Sequence, residues 1–306
     1  MLFDRTISLK IGKEGGDGLE LEGLRIAFSI QKGSTKSPNK CTVKVWNVSR
    51  ESRSQIEAIG NVLILKAGYQ DDVGLVTLFA GDVAYSFTSR EGPDWITELE
   101  LLDGLHEFRD RKVSISMAAG ATTKQVLQDI AKRFLLPVRA FPEGVQDKQY
   151  KEGFAFVGRC RDAMDKACEY MGLEWSIQNR EIQIIKKGGT ITQTAYLISE
   201  DTGMIESPMA QSQTMTEKAA AKLGYTKDQA GTRTEYELNR EGEFEEMLRV
   251  YGYKIKTLLL PNLEPGGYVQ LRTASIDGQF FRVEELVHTG DTHANEWHTE
   301  SLLRYL

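Results

Sequence analysis

The pentapeptide Asp94-Trp95-Ile96-Thr97-Glu98 returns near the C-terminus as Glu296-Trp297-His298-Thr299-Glu300. Read backwards without a gap, the match sets Leu78-Phe79 against Phe280-Phe281, Asp82 against Glu284 and Tyr85 against Val287; read forwards, it sets Leu101 against Leu303. Upstream, Gly60-Asn61-Val62-Leu63-Ile64-Leu65-Lys66 resembles Gly266-Gly267-Tyr268-Val269-Gln270-Leu271-Arg272. Eleven residues then precede Leu78 and seven precede Phe280, so the second copy is expected to carry the shorter loop, a difference that a duplicated β unit tolerates well. Trp297, Thr299, Ser301, Leu303 and Tyr305 alternate with Glu296, His298, Glu300 and Arg304, and Trp95, Thr97, Leu99 and Leu101 alternate with Asp94, Glu98 and Glu100. Period two is the mark of a half-buried strand. The repeat predicts the same three-stranded unit twice in one chain.

A chain of 306 residues has room for two or more domains, and 41% hydrophobic with 27% charged residues is the composition of an ordinary globular protein. No apolar run is long enough to cross a bilayer, and Met1-Leu2-Phe3-Asp4-Arg5 leads into a strand instead of a signal peptide. The expectation is therefore a chain made and folded in the cytoplasm. Cys41, Cys160 and Cys168 are odd in number and lack metal-ligand spacing, which predicts buried free thiols. The net charge of −6 is uneven: residues 189–306 hold 18 acidic and 11 basic side chains, residues 1–188 hold 26 and 27. No basic nucleic-acid footprint stands out.

Along the chain, alternation predicts strands over 5–11, 24–31 and 41–47, with a Gly-rich turn at 12–18 and an exposed polar loop at 32–40. Ser49 is placed to cap a short helix ending near Ile59-Gly60. The repeated strands complete a closed or nearly closed sheet to about residue 103. Residues 113–188 differ in kind. Thr122-Thr123-Lys124-Gln125 has capping-box spacing ahead of a helix with Val126, Ile130 and Phe134 on one face, stopped by Pro137. A second helix over about 158–171 buries Cys160, Met164, Ala167, Cys168 and Met171, Gly172 ends it, and a hairpin turns across Asn179-Arg180. The second β unit opens near Ala195, is interrupted by a polar excursion at about 211–246, and resumes as a long strand at Leu248. The predicted fold class is mainly β with an α+β insertion: tube-like β-barrel domains at 1–112 and 189–306, duplicates of one another, flank a small α+β domain at 113–188.

Chemistry is sparse. His288, His293 and His298, with Asp291, Glu296 and Glu300, form the densest cluster of potential metal ligands, and His288 and His298 are expected on one face of a hairpin. His293 falls in the turn, the spacing fits no short metal motif, and the first copy carries Ser86, Glu91 and Ile96 at the aligned positions, so no metal site is assigned. Glu98 and Glu300 occupy equivalent repeat positions, which suits a structural role better than an asymmetric acid–base pair. Gly15-Gly16, Gly188-Gly189, Gly266-Gly267 and Ser207-Pro208 read as turns, and no nucleophile elbow or phosphate loop is present. The sequence predicts no catalytic, cofactor-binding or metal residues. Trp95 and Trp297, at core positions of their strands, are expected to be mostly buried.

The C-terminal pattern resembles the baseplate hub proteins of contractile-tailed bacteriophages, late-control and VgrG-hub-like tail proteins among them. It consists of a Pro265-Gly266-Gly267 turn, then Phe281-Arg282-Val283, then His288-Thr289-Gly290-Asp291-Thr292-His293 running to Glu296-Trp297 and Thr299-Glu300. Phe79-Ala80-Gly81-Asp82, Gly92-Pro93-Asp94-Trp95-Ile96-Thr97, Asp103-Gly104 and the helix beginning Thr122-Thr123-Lys124-Gln125-Val126-Leu127 carry the likeness in the first half. The resemblance covers nearly the whole chain apart from 211–246. It implies a non-enzymatic structural protein without cofactors, a homotrimer whose two tube-like domains per chain make a pseudo-sixfold ring. Such a ring adapts a sixfold tail tube to a threefold central spike and lines the DNA channel. The implied partners are the chain itself, the tail-tube or tube-initiator protein, the central spike and other baseplate proteins, with no sequence-specific nucleic acid and no membrane insertion. The implied location is the virion tail baseplate, assembled in the bacterial host cytoplasm. The competing classes are a baseplate-associated cell-wall hydrolase, which needs two convergent carboxylates or a metal in a pocket, and a carbohydrate-binding module, which needs an exposed aromatic platform.

Overall fold

The structure is a computed structural model of residues 1–306, described here except at 1–3, 14, 17, 35–36, 58–59, 73, 140, 143–144, 228 and 239–243. In the first part, β1 (Arg5–Lys13), β2 (Gly18–Leu21), β3 (Ile26–Gly33) and β4 (Lys40–Trp46) precede helix α1 (Arg50–Ile56), whose first turn is capped where Ser49 accepts the Ser52 N–H at 3.1 Å. The end expected near Ile59 lies outside the described residues. β5 (Asn61–Tyr69), β6 (Gly74–Glu91) and β7 (Asp94–Leu102) follow, then α2 (Leu105–Asp110).

The middle part comprises β8 (Lys112–Met117), α3 (Thr123–Phe134), β9 (Phe154–Arg159), α4 (Cys160–Met171), β10 (Leu173–Gln178) and β11 (Glu181–Lys186). Both arms of the capping box on α3 form, between Thr122 and Gln125, and Val126, Ile130 and Phe134 are wholly buried. α4 ends where Gly172 takes the left-handed conformation (φ +68°) that a glycine enters without penalty. Asn179 and Arg180 both have positive φ, as the tight turn between β10 and β11 demands.

The last part holds β12 (Tyr196–Ile198), β13 (Met204–Thr216), α5 (Glu217–Lys222), β14 (Thr232–Leu238), β15 (Phe244–Leu258), β16 (Tyr268–Leu271), β17 (Gln279–Asp291) and β18 (Trp297–Tyr305). Among its described residues the polar stretch at about 211–246 is thus more ordered than its composition predicts. β13, β14 and β15 pair there, and Ala220, Tyr225, Leu248 and Val250 bury a small core of their own. Backbone pairing satisfied by neighbouring strands substitutes for the apolar content that the sequence lacks.

The fold is mainly β. Its centre is one 14-stranded sheet with the path β13-β15-β18-β17-β3-β4-β7-β6-β5-β1-β2, flanked by the lesser pairings of β12, β14 and β16. Among the described residues neither of the two tube-like units, whose sheet the sequence predicted to be closed or nearly closed, forms a separate closed barrel. β3, the strand on which the first unit could close, is instead paired along Ala27–Gly33 with β17 of the second unit. The first unit still curls around a single core, because β1 and β2 at one end of its path and β3 at the other contribute Leu9, Leu21 and Phe28 to the same cluster. Trp297 of β18 enters that cluster too, edge-on to Phe28 at 5.6 Å. A second cluster fills the middle part and a third fills the last.

Candidate functional site: the repeated sheet and its edges

The repeat is a repeat of register. In the first hairpin Val83 faces Leu101, one residue bulges, and pairing resumes with Tyr85 opposite Glu100. In the second, Val283 faces Leu303, one residue bulges, and pairing resumes with Glu285 opposite Leu302. β5 against β6 sets Val62 opposite Asp82, as β16 against β17 sets Tyr268 opposite Arg282. β4 against β7 sets Val45 opposite Thr97 and Lys44 opposite Glu98; β15 against β18 sets Thr257 opposite Thr299 and Lys256 opposite Glu300. A backbone bond at the strand start is shared as well, Asn47 N–H to Trp95 O at 2.7 Å and Leu259 N–H to Trp297 O at 3.1 Å. Five strands, β3-β4-β7-β6-β5 and β13-β15-β18-β17-β16, therefore recur in one order.

This register corrects three expectations. The second hairpin has the longer turn, so the position equivalent to His288 is Thr88, not Ser86. Thr88 Oγ1 lies 3.0 Å from Thr97 Oγ1, and His288 Nδ1 lies 2.8 Å from Thr299 Oγ1. The connection between the first two repeated strands is shorter in the first copy: β5 and β6 extend to Tyr69 and Gly74, whereas β16 stops at Leu271 and β17 begins at Gln279. Finally, His288 pairs with Thr299 and His298 with Thr289, which puts the two imidazoles on opposite faces of the sheet. His288 is wholly buried, and burial with the nearby Lys32 charge holds it down to about 3. His293 sits in the turn, where its N–H donates to Asp291 Oδ1 at 2.8 Å. Burial opposes ionisation of Asp291, but the bond from Arg25, 2.7 Å away, and the His293 N–H outweigh it and keep the carboxyl below its usual range. Three histidines that look clustered in sequence do not converge. Among the described residues no group of three or more His, Cys, Asp or Glu side chains is placed to hold a metal ion.

One face of the sheet is core; the other carries cross-strand ion pairs in both units. On it Lys44 pairs with Glu98 at 3.1 Å, Lys254 with Glu300 at 2.7 Å and Lys256 with Glu206 at 3.0 Å. Glu98 and Glu300 thus occupy matching places in a ladder of cross-strand ion pairs. Hydrogen bonding from Lys254 holds Glu300 below its usual range. Cys41, Cys160 and Cys168 are buried free thiols, and burial pushes Cys41 and Cys160 up, away from reactive thiolate.

The middle part docks through the described residues of the 32–40 segment, which are less exposed than their composition predicts. Lys32 and Asn39 are buried, and Asn39 Nδ2 donates to Ile177 O and Gln178 Oε1, both at 2.9 Å. Asp103 accepts the N–H groups of Asn179 at 2.7 Å and Arg180 at 2.8 Å, while the Arg180 guanidinium meets Asp82 at 2.7 Å. On the other side, buried Arg282 of β17 bonds Glu174 of β10 and approaches Glu284 at 3.4 Å. Loop polarity here marks an internal joint, where Lys32 and Asn39 find partners on the β10–β11 hairpin.

The two units differ at their edges. Trp297 is buried against Phe28, but Trp95, its counterpart and expected to be buried, is 42% exposed. The reason lies in the neighbouring strand. β17 pairs along Glu285–Asp291 with β3, whereas β6, over the equivalent stretch Tyr85–Glu91, has β7 on one side and no described strand on the other. Tyr85 and Phe87 stand on that open edge, 56% and 52% exposed; β13 has no described strand on its outer side, with Met209 60% exposed. The sequence reading passed over these residues, although Tyr85 and Phe87 alternate on the strand face that carries Glu98 and Glu100 in β7.

Two like five-strand units joined edge to edge and braced by an α+β domain define a fold class shared with tail proteins. The tail protein from Neisseria meningitidis MC58 superposes with a TM-score of 0.62 at 9% identity, covering 99% of this chain and 97% of its own. The 43 kDa tail protein of prophage MuSo2 from Shewanella oneidensis gives 0.61 at 12% identity, covering 99% and 98%. An Escherichia coli component of the type VI secretion system, itself described as similar to bacteriophage T4 tail proteins, gives 0.55 at 10% identity over 97% of this chain and 77% of that one. No protein-family model and no curated protein sequence matches.

Proposed function

We propose that this chain is a structural hub of a contractile tail or related injection apparatus, a homotrimer that joins a sixfold tube to a threefold spike. The observation that carries the reading is the edge-to-edge junction of two units with one register. A contact between unlike edges of like units is heterologous, and repeated heterologous contacts close into rings when the rotation allows. Three chains contribute six similar units, so one rim presents six alike edges while the middle domains and the 211–246 excursion differ by threes. The division into 1–112, 113–188 and 189–306 belongs to this reading, as do the tube, spike and baseplate partners, the virion tail location and the absence of catalysis. The polar face lines the channel. Lys44, Lys254 and Lys256 on it are matched by glutamates, which lowers the positive charge that a passing polyanion meets. Full-length likeness to tail proteins at near-complete mutual coverage supports the same reading. Light scattering of the purified chain tests it: the expected mass is three times that of one chain, and a monomer at every concentration overturns the hub.

A further inference from the structure

We infer that the open edge of β6 pairs with the open edge of β13 in the next copy of this chain, antiparallel, with Tyr85 opposite Gln213, Phe87 opposite Gln211 and Ser89 opposite Met209. The inference rests on the ring reading and deepens it by naming the contact. It comes from the register. Inside one chain β17 pairs with β3, with Glu285 opposite Gly33, Val287 opposite Gln31 and Thr289 opposite Ser29. β6 is the first unit's equivalent of β17, since both carry the bulge after position 83 or 283 and then face equivalent residues of β7 and β18. β13 is the second unit's equivalent of β3. Ile30 faces Cys41, which faces Leu101; Ala210 faces Tyr253, which faces Leu303. Applying the internal junction once more, with the roles of the units exchanged, gives the stated pairing and leaves neither edge open.

Two further observations agree. Free edge strands are ordinarily blunted by charge, yet 85–89 (Tyr-Ser-Phe-Thr-Ser) and 209–213 (Met-Ala-Gln-Ser-Gln) contain no charged residue. These segments also carry exposed apolar side chains, Tyr85, Phe87 and Met209. In the inferred register Phe87 and Met209 of adjacent chains are diagonal neighbours on one face, within reach of each other. Pro208 ends the regular pairing, at the irregularity where β13 skips between Glu206 and Met209.

A cysteine pair tests it. Ser86 and Ser212 face each other in this register, so the S86C/S212C double variant is expected to oxidise to chains linked in threes on a denaturing gel, with circular dichroism unchanged. S86C/M209C, three residues out of register and about 10 Å off along the strand, is expected to stay unlinked. Light scattering on the same samples separates the two levels. A trimer that stays unlinked, or that links only in the shifted pair, overturns the edge pairing while leaving the ring; a monomer at every concentration overturns both.

Discussion

At position 288 a histidine occupies the slot that Thr88 fills in the first unit, and it faces the same threonine partner across the strands. An imidazole unprotonated until about pH 3 in the folded chain, but protonated near 6.5 when unfolded, makes the unfolded state bind more protons between those values. Stability therefore falls as pH drops from about 6.5 towards about 3, by about 2 kcal/mol at pH 5 from this residue. His288→Thr is expected to flatten that slope, read as the difference between wild-type and variant urea midpoints across the pH range. Asp103, raised to about 6 by burial against the pull of its N–H donors, acts in the opposite sense and cancels in the difference. An unchanged slope contradicts this account of His288. Arg282 is the other decisive residue, the buried cation holding Glu174 and Glu284. Arg282→Ala leaves two carboxylates without their partner, and urea unfolding is expected to show a loss of about 3–5 kcal/mol; a loss below about 1 kcal/mol contradicts that role.

At the scale of elements, the strands that repeat a motif were legible and those that repeat only a position were not. Trp95 and Trp297, with Thr97 and Thr299, revealed β7 and β18 directly, because the wholly buried threonine place restricts residue choice in both copies. β4 and β15 share a register without a shared motif, since a strand core accepts Val43 or Ile255 alike. The ungapped alignment of β6 with β17 slipped by two residues because the added length sits in the second turn. A slip of two preserves the face of every side chain, so the core reading survived while the partner of His288 was misassigned. The burial of Trp95 was misread for a different reason: its strand position is core-like, but cover over it depends on a neighbouring strand that no local pattern announces. The open edge also carries a prediction. Phe87→Glu sets a carboxylate beside Glu98 on β7 and on the face expected to meet the next chain. The dissociation midpoint measured by dilution is expected to rise at least tenfold, about 1.4 kcal/mol, with secondary structure intact; an unchanged midpoint removes Phe87 from the contact.

For the whole molecule, the repeat alone suggested how many like units a chain contains, and the capping box and the Asn179-Arg180 turn located α3 and the β10–β11 hairpin between them. The sharing of one sheet between the units was not legible, because backbone pairing between β17 and β3 leaves little trace in residue type. In the proposed ring, that pairing turns a duplicated fold into a directional building block: each unit offers one edge and accepts the other. Electron cryomicroscopy of the purified chain, reconstructed without imposed symmetry, tests this most directly. The expected image is a closed ring of three chains in which six five-strand units follow one another, each joined to the next as β17 joins β3. A ring whose units meet through other surfaces, an open filament or a lone chain contradicts it.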